Sequence, residues 1–313
     1  MILVTAANGN VARQVIPRLA GAGLKVRGLR ASSGDERALV DLGVSEIVIG
    51  DIRDPATIRS AMNGVQSVFH VCPGGLAYWE TEIGYSIIDA AIAEGVEHVV
   101  MSTLMHPIIT ALLQHRTKRD VEERLVSSPV NWTILQPADY MQTLVPPSTF
   151  DTGVLPVAYG LGRKHSAVDL MDVAEVACKV LIEGKPHYWA RYELCGLPQA
   201  FDADVLAETV SKVGGRSVAV QPVSGPEYMR IWAREEGPPI GSAHGLEDPA
   251  GRDYARQVLV AIADWYSAHD YVGNPNVLTW LLGRQPTSLE EYLRRLYRQV
   301  HSAEAASAQP EVG

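Results

Sequence analysis

Short apolar runs alternate with helix-length segments over the first 137 residues, and this alternation constrains the fold more than any other feature. Strand-like runs occupy residues 2–5, 25–29, 46–49, 67–72, 98–102 and 132–135, and helix signals mark residues 11–20, 35–42, 54–64, 83–93 and 117–127. Runs that are apolar at nearly every position are typical of parallel strands covered on both faces. The sequence therefore predicts an α/β fold built on a doubly wound parallel sheet.

The pattern changes after Pro146-Pro147, where helical segments dominate. We predict a dinucleotide-binding domain over residues 1–150, to which segments at about 165–196 return, and a smaller, mainly helical substrate-binding subdomain over residues 151–301. The glycine- and proline-rich stretch 236–251 is typical of a mobile loop, and residues 302–313 are small and polar, as in a flexible tail. In such sheets the ligand binds at the carboxyl ends of the strands, beside the second unit.

The charge balance limits the classes of partner. Lys and Arg total 27 against 36 Asp and Glu, a net charge of −9, whereas nucleic acids and anionic membranes select clustered cations. The first residues lack the basic segment of a signal peptide, and apolar runs stay shorter than a membrane span needs. We therefore expect a cytoplasmic protein with a small-molecule substrate and without nucleic acid or membrane partners.

The cysteines, Cys72, Cys178 and Cys195, are odd in number and widely spaced. This spacing fits neither a disulfide framework nor a zinc site, and His, Asp and Glu do not cluster at metal-ligand spacing. Reduced thiols and the absence of a bound metal are the expectation.

A turn follows the first strand and leads directly into the first helix. It includes Thr5, Ala6, Asn8, Gly9, Asn10 and Val11. A helix start at this place can hold a pyrophosphate through backbone N–H groups and the helix dipole. Ala6 and Ala12 stand where glycines are usual, so a tight turn made by Asn8-Gly9 is the alternative.

The end of the second strand bears on the choice of cofactor. NAD-dependent enzymes usually place an acidic residue here, but this segment contains Arg30 and small hydroxyl residues. A guanidinium binds a 2′-phosphate bidentately, which favours NADP, with NAD as the other option. A solvated surface role for Arg30 is the alternative.

Several segments together resemble the NmrA-like family of atypical short-chain dehydrogenases/reductases. They are the turn after the first strand, residues 50–54 (GDIRD), 118–122 (KRDVE), 132–137 (WTILQP) and 281–291 (LLGRQPTSLEE). The resemblance implies a Rossmann domain that binds NAD(P) and a small C-terminal substrate domain. It also implies one of two functions: a reductase of quinones, phenolic compounds or dyes, or a cofactor-sensing regulator without turnover.

The resemblance further implies which residues line the cofactor. Asp51 and Ile52 would flank the adenine, Asp51 accepting from its amine, unless Asp51 is only a turn residue. Other residues would lie along the cofactor, namely Val71, Cys72, Pro73, Ser102 and Pro137. Cys72 is expected as a packed thiol, because no basic residue lies near it in sequence to activate it.

The tyrosine of the Tyr-x-x-x-Lys motif is missing, because Gln114 stands four residues before Lys118. We expect Lys118 near the nicotinamide ribose or the substrate oxygen. An exposed lysine that pairs with Glu122 one turn later is the alternative.

Three further residues are catalytic candidates. His115 lies one turn before Lys118 and could act as a general acid, or only as a cap or surface group. Thr103, at the end of the fifth strand, could bind a substrate carbonyl, as could Ser102, or these hydroxyls could satisfy local backbone groups. Tyr140, after the sixth strand, could stack on the cofactor or donate a proton, and packing is the alternative.

These observations favour an NAD(P)H-dependent reductase that transfers hydride to a small apolar carbonyl, quinone or conjugated substrate. The missing tyrosine keeps an NADP-sensing regulator open, and a redox-neutral use of the fold, as an isomerase or lyase, is a third hypothesis. A homodimer is also left open.

Overall fold

A computed structural model describes residues 1–31, 34, 36–158, 160–197, 200–234 and 248–307. Its strands are β1 (Ile2–Val4), β2 (Val26–Arg30), β3 (Val44–Ile49), β4 (Ser67–Val71), β5 (His98–Ser102), β6 (Asn131–Pro137), β7 (Asp139–Tyr140), β8 (Val154–Val157), β9 (Ala167–Val168), β10 (Ala190–Leu194) and β11 (Ala219–Pro222). Its α-helices are α1 (Asn10–Gly21), α2 (Glu36–Asp41), α3 (Pro55–Met62), α4 (Glu80–Ala93), α5 (Leu113–Val126), α6 (Thr149–Thr152), α7 (Leu170–Glu183), α8 (Ala203–Gly214), α9 (Gly225–Arg234), α10 (Pro249–Ala268), α11 (Asn276–Leu282) and α12 (Leu289–Ser307).

Seven of these strands form one parallel sheet in the order β10-β6-β5-β4-β1-β2-β3. Strand β1 lies between β2 and β4, so the winding direction reverses there, and this crevice is where such sheets bind ligands. The predicted α/β, doubly wound parallel sheet is confirmed. Strand β10, from the second half of the chain, pairs in parallel with β6 at the sheet edge.

Helices cover both faces of the sheet. On one face α1 packs against α7 and buries Val11, Val15, Ile16 and Leu19, which recur at helical spacing. On the other face α3, α4 and α5 cover a second apolar cluster. Each fully buried aliphatic side chain stabilises the fold by about 1.5–3 kcal/mol relative to exposure. Both faces are buried, which explains why the strands are apolar almost throughout.

The second half of the chain builds a smaller core around Phe150, Leu206, Val210 and Leu293. Helices α8 and α12 enclose it, and the short parallel pair β8 and β11 adds to the predominantly helical unit. Helix α10 packs on the sheet domain, against α5 and the 3₁₀ helix Gly74–Trp79.

The segment before α12 is fastened to the sheet domain by Asp172 on α7. This carboxylate is buried and accepts from Arg284 Nη2 (2.8 Å), the Thr287 N–H (2.7 Å) and the Thr287 hydroxyl (3.1 Å). Residues 281–291 therefore hold the second unit beside the sheet.

Several elements differ from the predictions. Helix α5 begins at Leu113, four residues earlier than predicted, so Lys118 lies in its second turn. Helix α11 was not predicted, because its seven residues carry little periodicity. Helix α12 extends to Ser307, into the stretch for which a flexible tail was predicted. Most of the predicted loop 236–251 and residues 308–313 lie outside the described residues.

Candidate active site

The turn after β1 leaves the start of α1 open. Gly9 is the N-cap residue and supplies no side-chain cap, so the first N–H groups of α1 are available to an anion. Ala6 has a φ of +48°, and the Gly9 N–H donates to its carbonyl (2.7 Å). A Cβ on Gly9 would lie 3.0 Å from that carbonyl oxygen. The turn therefore brings bare backbone to the helix start, as a pyrophosphate requires.

The Thr5 side chain points into the sheet instead of toward a ligand. Its Oγ1 lies 3.0 Å from His70 Nδ1 and accepts from the Val71 N–H (3.2 Å). Thr5 therefore ties β1 to the end of β4. Asn10 is exposed, whereas the Val11 side chain is buried, so these two can contribute a side chain and a backbone N–H, respectively.

Arg30 ends β2, and its guanidinium lies against Gly34. The residue is 9% exposed, and its Nε has no hydrogen-bond partner among the residues that the structure describes. A buried donor without an acceptor is destabilising, and a phosphate oxygen would satisfy it. These contacts fit the predicted role of Arg30 at a 2′-phosphate.

Asp51 is already engaged by its neighbour. Arg53 holds the carboxylate with Nε (2.9 Å) and Nη2 (2.6 Å), and the Arg53 N–H donates to Oδ1 (2.8 Å). These contacts support the alternative that Asp51 is a turn residue. Asp54 caps α3 by accepting from the N–H groups of Ala56 and Thr57. Ile52 is buried.

Lys118 reaches across to Glu80, at the start of α4, and the two buried side chains form a salt bridge. The sequence alternative, a pair with Glu122, is wrong, because Glu122 turns into the core and accepts from Gln136 Nε2 (2.9 Å). Burial lowers the pKa of Lys118, but Glu80, with smaller contributions from Cys72 and Tyr140, outweighs it and leaves that pKa above its usual value. Lys118 is therefore a fixed buried cation at the carboxyl edge of the sheet.

Ser102, Tyr140 and Cys72 lie around this cation, so the fold brings together residues from three strand ends. Burial raises the pKa of Tyr140, and the nearby Ser102 hydroxyl and Lys118 charge partly offset the effect. Burial and Glu80 hold the pKa of the Cys72 thiol well above its usual value. Cys72 is thus a protonated, packed thiol, whereas Tyr140 is a phenol placed beside a hydroxyl and an ammonium group.

Two catalytic predictions disagree with the geometry. The Thr103 hydroxyl donates to Glu122 Oε1 (2.6 Å), so its proton is not available to a substrate carbonyl. His115 is almost fully buried, its Nδ1 lies 2.8 Å from the His106 carbonyl, and burial lowers its pKa to about 4. A histidine that is neutral near pH 7, with its N–H donated to backbone, is not a general acid.

Polar atoms near Lys118 lack partners. Trp79 Nε1 and Gln114 Oε1 are buried without a hydrogen bond among the described residues. The Ser102 and Tyr254 hydroxyls lie beside Tyr140 and Thr117, respectively, without reaching hydrogen-bond geometry. Such a group of incompletely satisfied atoms is expected where a polar ligand binds.

Sequence reasoning missed Glu80, Tyr254 and Asp139. Glu80 lies in the first turn of α4, where an acid is typical of a helix start, and Tyr254 comes from α10 in the second unit. Asp139 precedes Tyr140, and burial raises its pKa to about 7 against the lowering effect of a hydrogen bond from Tyr266. No spacing in the sequence connects these residues.

The described residues hold no cluster of metal-ligating side chains, and no described helix is long and apolar enough to cross a membrane.

Comparisons with known proteins agree with the geometry. The sequence model of the NmrA-like family matches residues 1–293. The NAD(P)H azoreductase of Xenophilus azovorans is 32% identical over 222 residues, which cover 70% of this chain and 75% of that protein. The NADPH complex of the Escherichia coli quinone oxidoreductase QOR2 superposes with a TM-score of 0.74 at 23% identity, covering 95% of this chain and 100% of that one. The negative transcriptional regulator NmrA, in complex with NAD, has a TM-score of 0.73 at 17% identity and covers 97% of each chain.

Proposed function

This chain belongs to the NmrA-like family, and we propose that it is an NADP(H)-dependent reductase of flat, conjugated substrates such as quinones and azo dyes. The observation that carries this proposal is the largely buried cluster of Lys118, Tyr140 and Ser102 at the carboxyl edge of the sheet. It lies past the end of β5, near the crevice that opens beside the uncapped start of α1. The azoreductase and the quinone oxidoreductase among its relatives support the substrate class.

The residues present fit an NADP cofactor. The N–H groups at the start of α1 would hold the pyrophosphate, and the Nε of Arg30, which has no partner among the described residues, would donate to the 2′-phosphate. When bound, the cofactor supplies the hydride. NAD, which lacks this phosphate, would bind through the same turn without the contribution of Arg30.

Tyr140 is the proton donor in this proposal. Its phenol would give a proton to the oxygen or nitrogen of the substrate that gains the negative charge. Lys118 stabilises the phenolate that remains, and Glu80 fixes the ammonium group so that it needs little reorganisation during the reaction. The Ser102 hydroxyl beside the phenol can orient it. Tyr140 would thus replace the tyrosine that is absent at position 114.

Aromatic side chains suit a flat substrate. Tyr78 packs edge to face against Trp79 (5.1 Å between ring centroids) and against Tyr254 (5.7 Å), beside Glu80. The Trp79 N–H, for which the described part of the chain offers no acceptor, can donate to a polar group of the substrate.

The direct test is NADPH oxidation with menadione, methyl red and malachite green as acceptors, by the unaltered chain and by Lys118→Ala. We expect turnover with at least one acceptor and a fall in kcat of about 10²-fold in the variant. If NADPH binds with high affinity but no acceptor is reduced, the proposal fails.

NADPH binding without reduction of any acceptor would favour a cofactor-sensing regulator. The observation behind this candidate is Gln114, which occupies the place of the usual tyrosine and cannot donate a phenolic proton. The regulator would bind the cofactor through the same turn and pass the redox state to a protein partner.

We also propose a homodimer. Trp189, at the start of the edge strand β10, is 66% exposed, and Trp280, on the helix α11 that packs on β10, is 74% exposed. Tryptophan is enriched at protein–protein interfaces relative to the rest of the surface. Light scattering should give a molar mass twice the chain mass of 34.0 kDa. For Trp280→Glu it should give the mass of a single chain.

We also propose that the protein is located in the cytoplasm. The three cysteines are free thiols, which persist in a reducing environment, and the proposed cofactor is available there. Fractionation of cells that express the tagged chain tests this location.

A further inference from the structure

A cavity of about 340 Å³ lies between α1 and the second unit, on the side of α1 that faces α12. Its walls come from the start of α1, the segment after β7, the start of α7, Trp232 of α9 and the middle of α12. This volume is within the range of small-molecule sites. The cavity shares no residue with the Lys118 cluster, although Gln142 in its wall is only two residues after Tyr140.

The wall is cationic, although the chain as a whole carries a net charge of −9. Arg13 and Arg295 line it, and none of the lining residues is acidic. Arg13 donates through Nε to the Asn8 carbonyl (3.0 Å) and forms no salt bridge among the described residues. Four of its five N–H donors therefore stay available.

Arg295 is held in place by a buried carboxylate. It pairs with Asp169, which is fully buried and also accepts from Gln142 Nε2 (2.8 Å) and the Met171 N–H (3.0 Å). The guanidinium lies 5.5 Å from the ring centroid of Tyr292. Asp169 neutralises one of the two arginines, so the site as a whole keeps one uncompensated positive charge.

The remaining wall combines the amide side chains of Asn10, Gln14, Gln142 and Gln299 with an apolar part. Val145, Leu170, Met171, Trp232 and Leu296 supply the apolar part. A cation beside an apolar surface is complementary to a ligand that carries an anionic group on a hydrophobic body.

We propose that this cavity is a binding site for an organic anion with a flat apolar body and one sulfonate, carboxylate or phosphate group, bound together with the dinucleotide. Arg13 binds the anionic group, Arg295 supports it, and the apolar wall takes the body. Asn10 lies both in this wall and at the start of α1, so the pyrophosphate of the cofactor is the other source of an anion here. The apolar wall favours the separate ligand, because a pyrophosphate would leave it unused.

Fluorescence titration with anilinonaphthalene sulfonate tests the site, because the neutral N-phenylnaphthylamine has the same body without the anion. The protein is first saturated with NADPH. We expect one sulfonate to bind per chain, and we expect Arg13→Gln to weaken it about tenfold while the neutral probe changes less than twofold. Met171→Trp or Leu296→Trp should fill the cavity and abolish binding of both probes.

Arg256→Gln is the matched control, because Arg256 lines a different, open groove beside α10. It should leave sulfonate binding unchanged, and thermal melts should show that every variant is folded. Binding of the sulfonate to the chain without NADPH but not to the NADPH-saturated chain would assign the anion position to the cofactor and overturn the proposal. Equal losses in Arg13→Gln and Arg256→Gln, or unchanged binding in both tryptophan variants, would overturn it as well. NADPH affinity, measured in parallel, separates this outcome from a failure of the reductase proposal.

Discussion

Lys118 pairs with Glu80, 38 residues earlier in the chain, and not with Glu122, which lies one turn along its own helix. The packing of α4 against α5 buries both partners at the carboxyl edge of the sheet. A buried ammonium group depends on its counter-ion, because burial alone would lower its pKa. The state of Lys118 is thus set by a residue on another helix.

Glu80→Gln should shift the pH profile of reduction. Without the carboxylate, burial dominates and the pKa of Lys118 falls, so the lysine loses its charge at lower pH than in the unaltered chain. We expect the alkaline fall in kcat to begin at least one pH unit lower in the variant, a shift of about 1.4 kcal/mol. Glu82→Gln, an exposed acid in the same helical turn, is the control and should leave the profile unchanged. An unshifted profile for Glu80→Gln would separate Lys118 from the chemistry.

Tyr140→Phe removes the proposed proton donor and keeps the ring. We expect kcat to fall by about 10²-fold, in the range of general acid catalysis, while the affinity for NADPH changes less than twofold. The exposed Tyr85, on α4, gives the control variant Tyr85→Phe. Stopped-flow measurement of NADPH oxidation separates the hydride step from product release. A normal rate in Tyr140→Phe would mean that the phenol only packs.

Arg30→Ala should change the choice of cofactor. Loss of a charge-assisted contact should weaken NADPH binding by about 1–3 kcal/mol and leave NADH binding nearly unchanged. Arg59→Ala, at an exposed salt bridge with Glu94, is the control. Calorimetric titration of both cofactors provides the comparison, and equal losses for the two would contradict a 2′-phosphate site.

Gly9→Val should abolish cofactor binding. Its Cβ would approach the Ala6 carbonyl to 3.0 Å, and the two methyl groups would occupy the path of the pyrophosphate over the start of α1. Because φ at Gly9 is −77°, valine can adopt the backbone, and the fold should persist in circular dichroism. Normal NADPH binding in this variant would reduce residues 5–11 to a structural turn.

The sheet could be predicted from the sequence because its central strands β1, β4 and β5 are buried almost throughout and therefore form continuous apolar runs. Strand β5 has the predicted bounds, residues 98–102. The cofactor turn and Arg30 were also accessible, because their place at strand ends follows from local order along the chain. The partners Glu80 and Tyr254 were not, because helix packing and the second unit bring them to Lys118 over large sequence separations. The alternative pair of Lys118 with Glu122 was wrong because i, i+4 spacing says nothing of which face of a helix is buried.

Asp139 should make the protein less stable as the pH rises, whereas a carboxylate held in a salt bridge has the opposite effect. Burial raises its pKa to about 7 in the folded chain, from an ordinary value of 3.8. Between these values the folded state binds more protons at this carboxyl than the unfolded state does, so its contribution to the free energy of unfolding falls as pH rises from about 4 to about 7. Asp139→Asn keeps an acceptor for Tyr266 and removes the titration.

We therefore expect Asp139→Asn to be little more stable than the unaltered chain at pH 5, and more stable at pH 8, where the carboxyl is ionised in the folded state. The added difference should be about 1–4 kcal/mol, given about 1.4 kcal/mol for each unit of pKa shift. Urea unfolding at both pH values measures it. Asp264→Asn, an exposed acid on the same helix as Tyr266, is the control and should show no such difference. A constant offset between Asp139→Asn and the unaltered chain at both pH values would show that Asp139 ionises normally, and that its place beside Tyr140 has no electrostatic consequence.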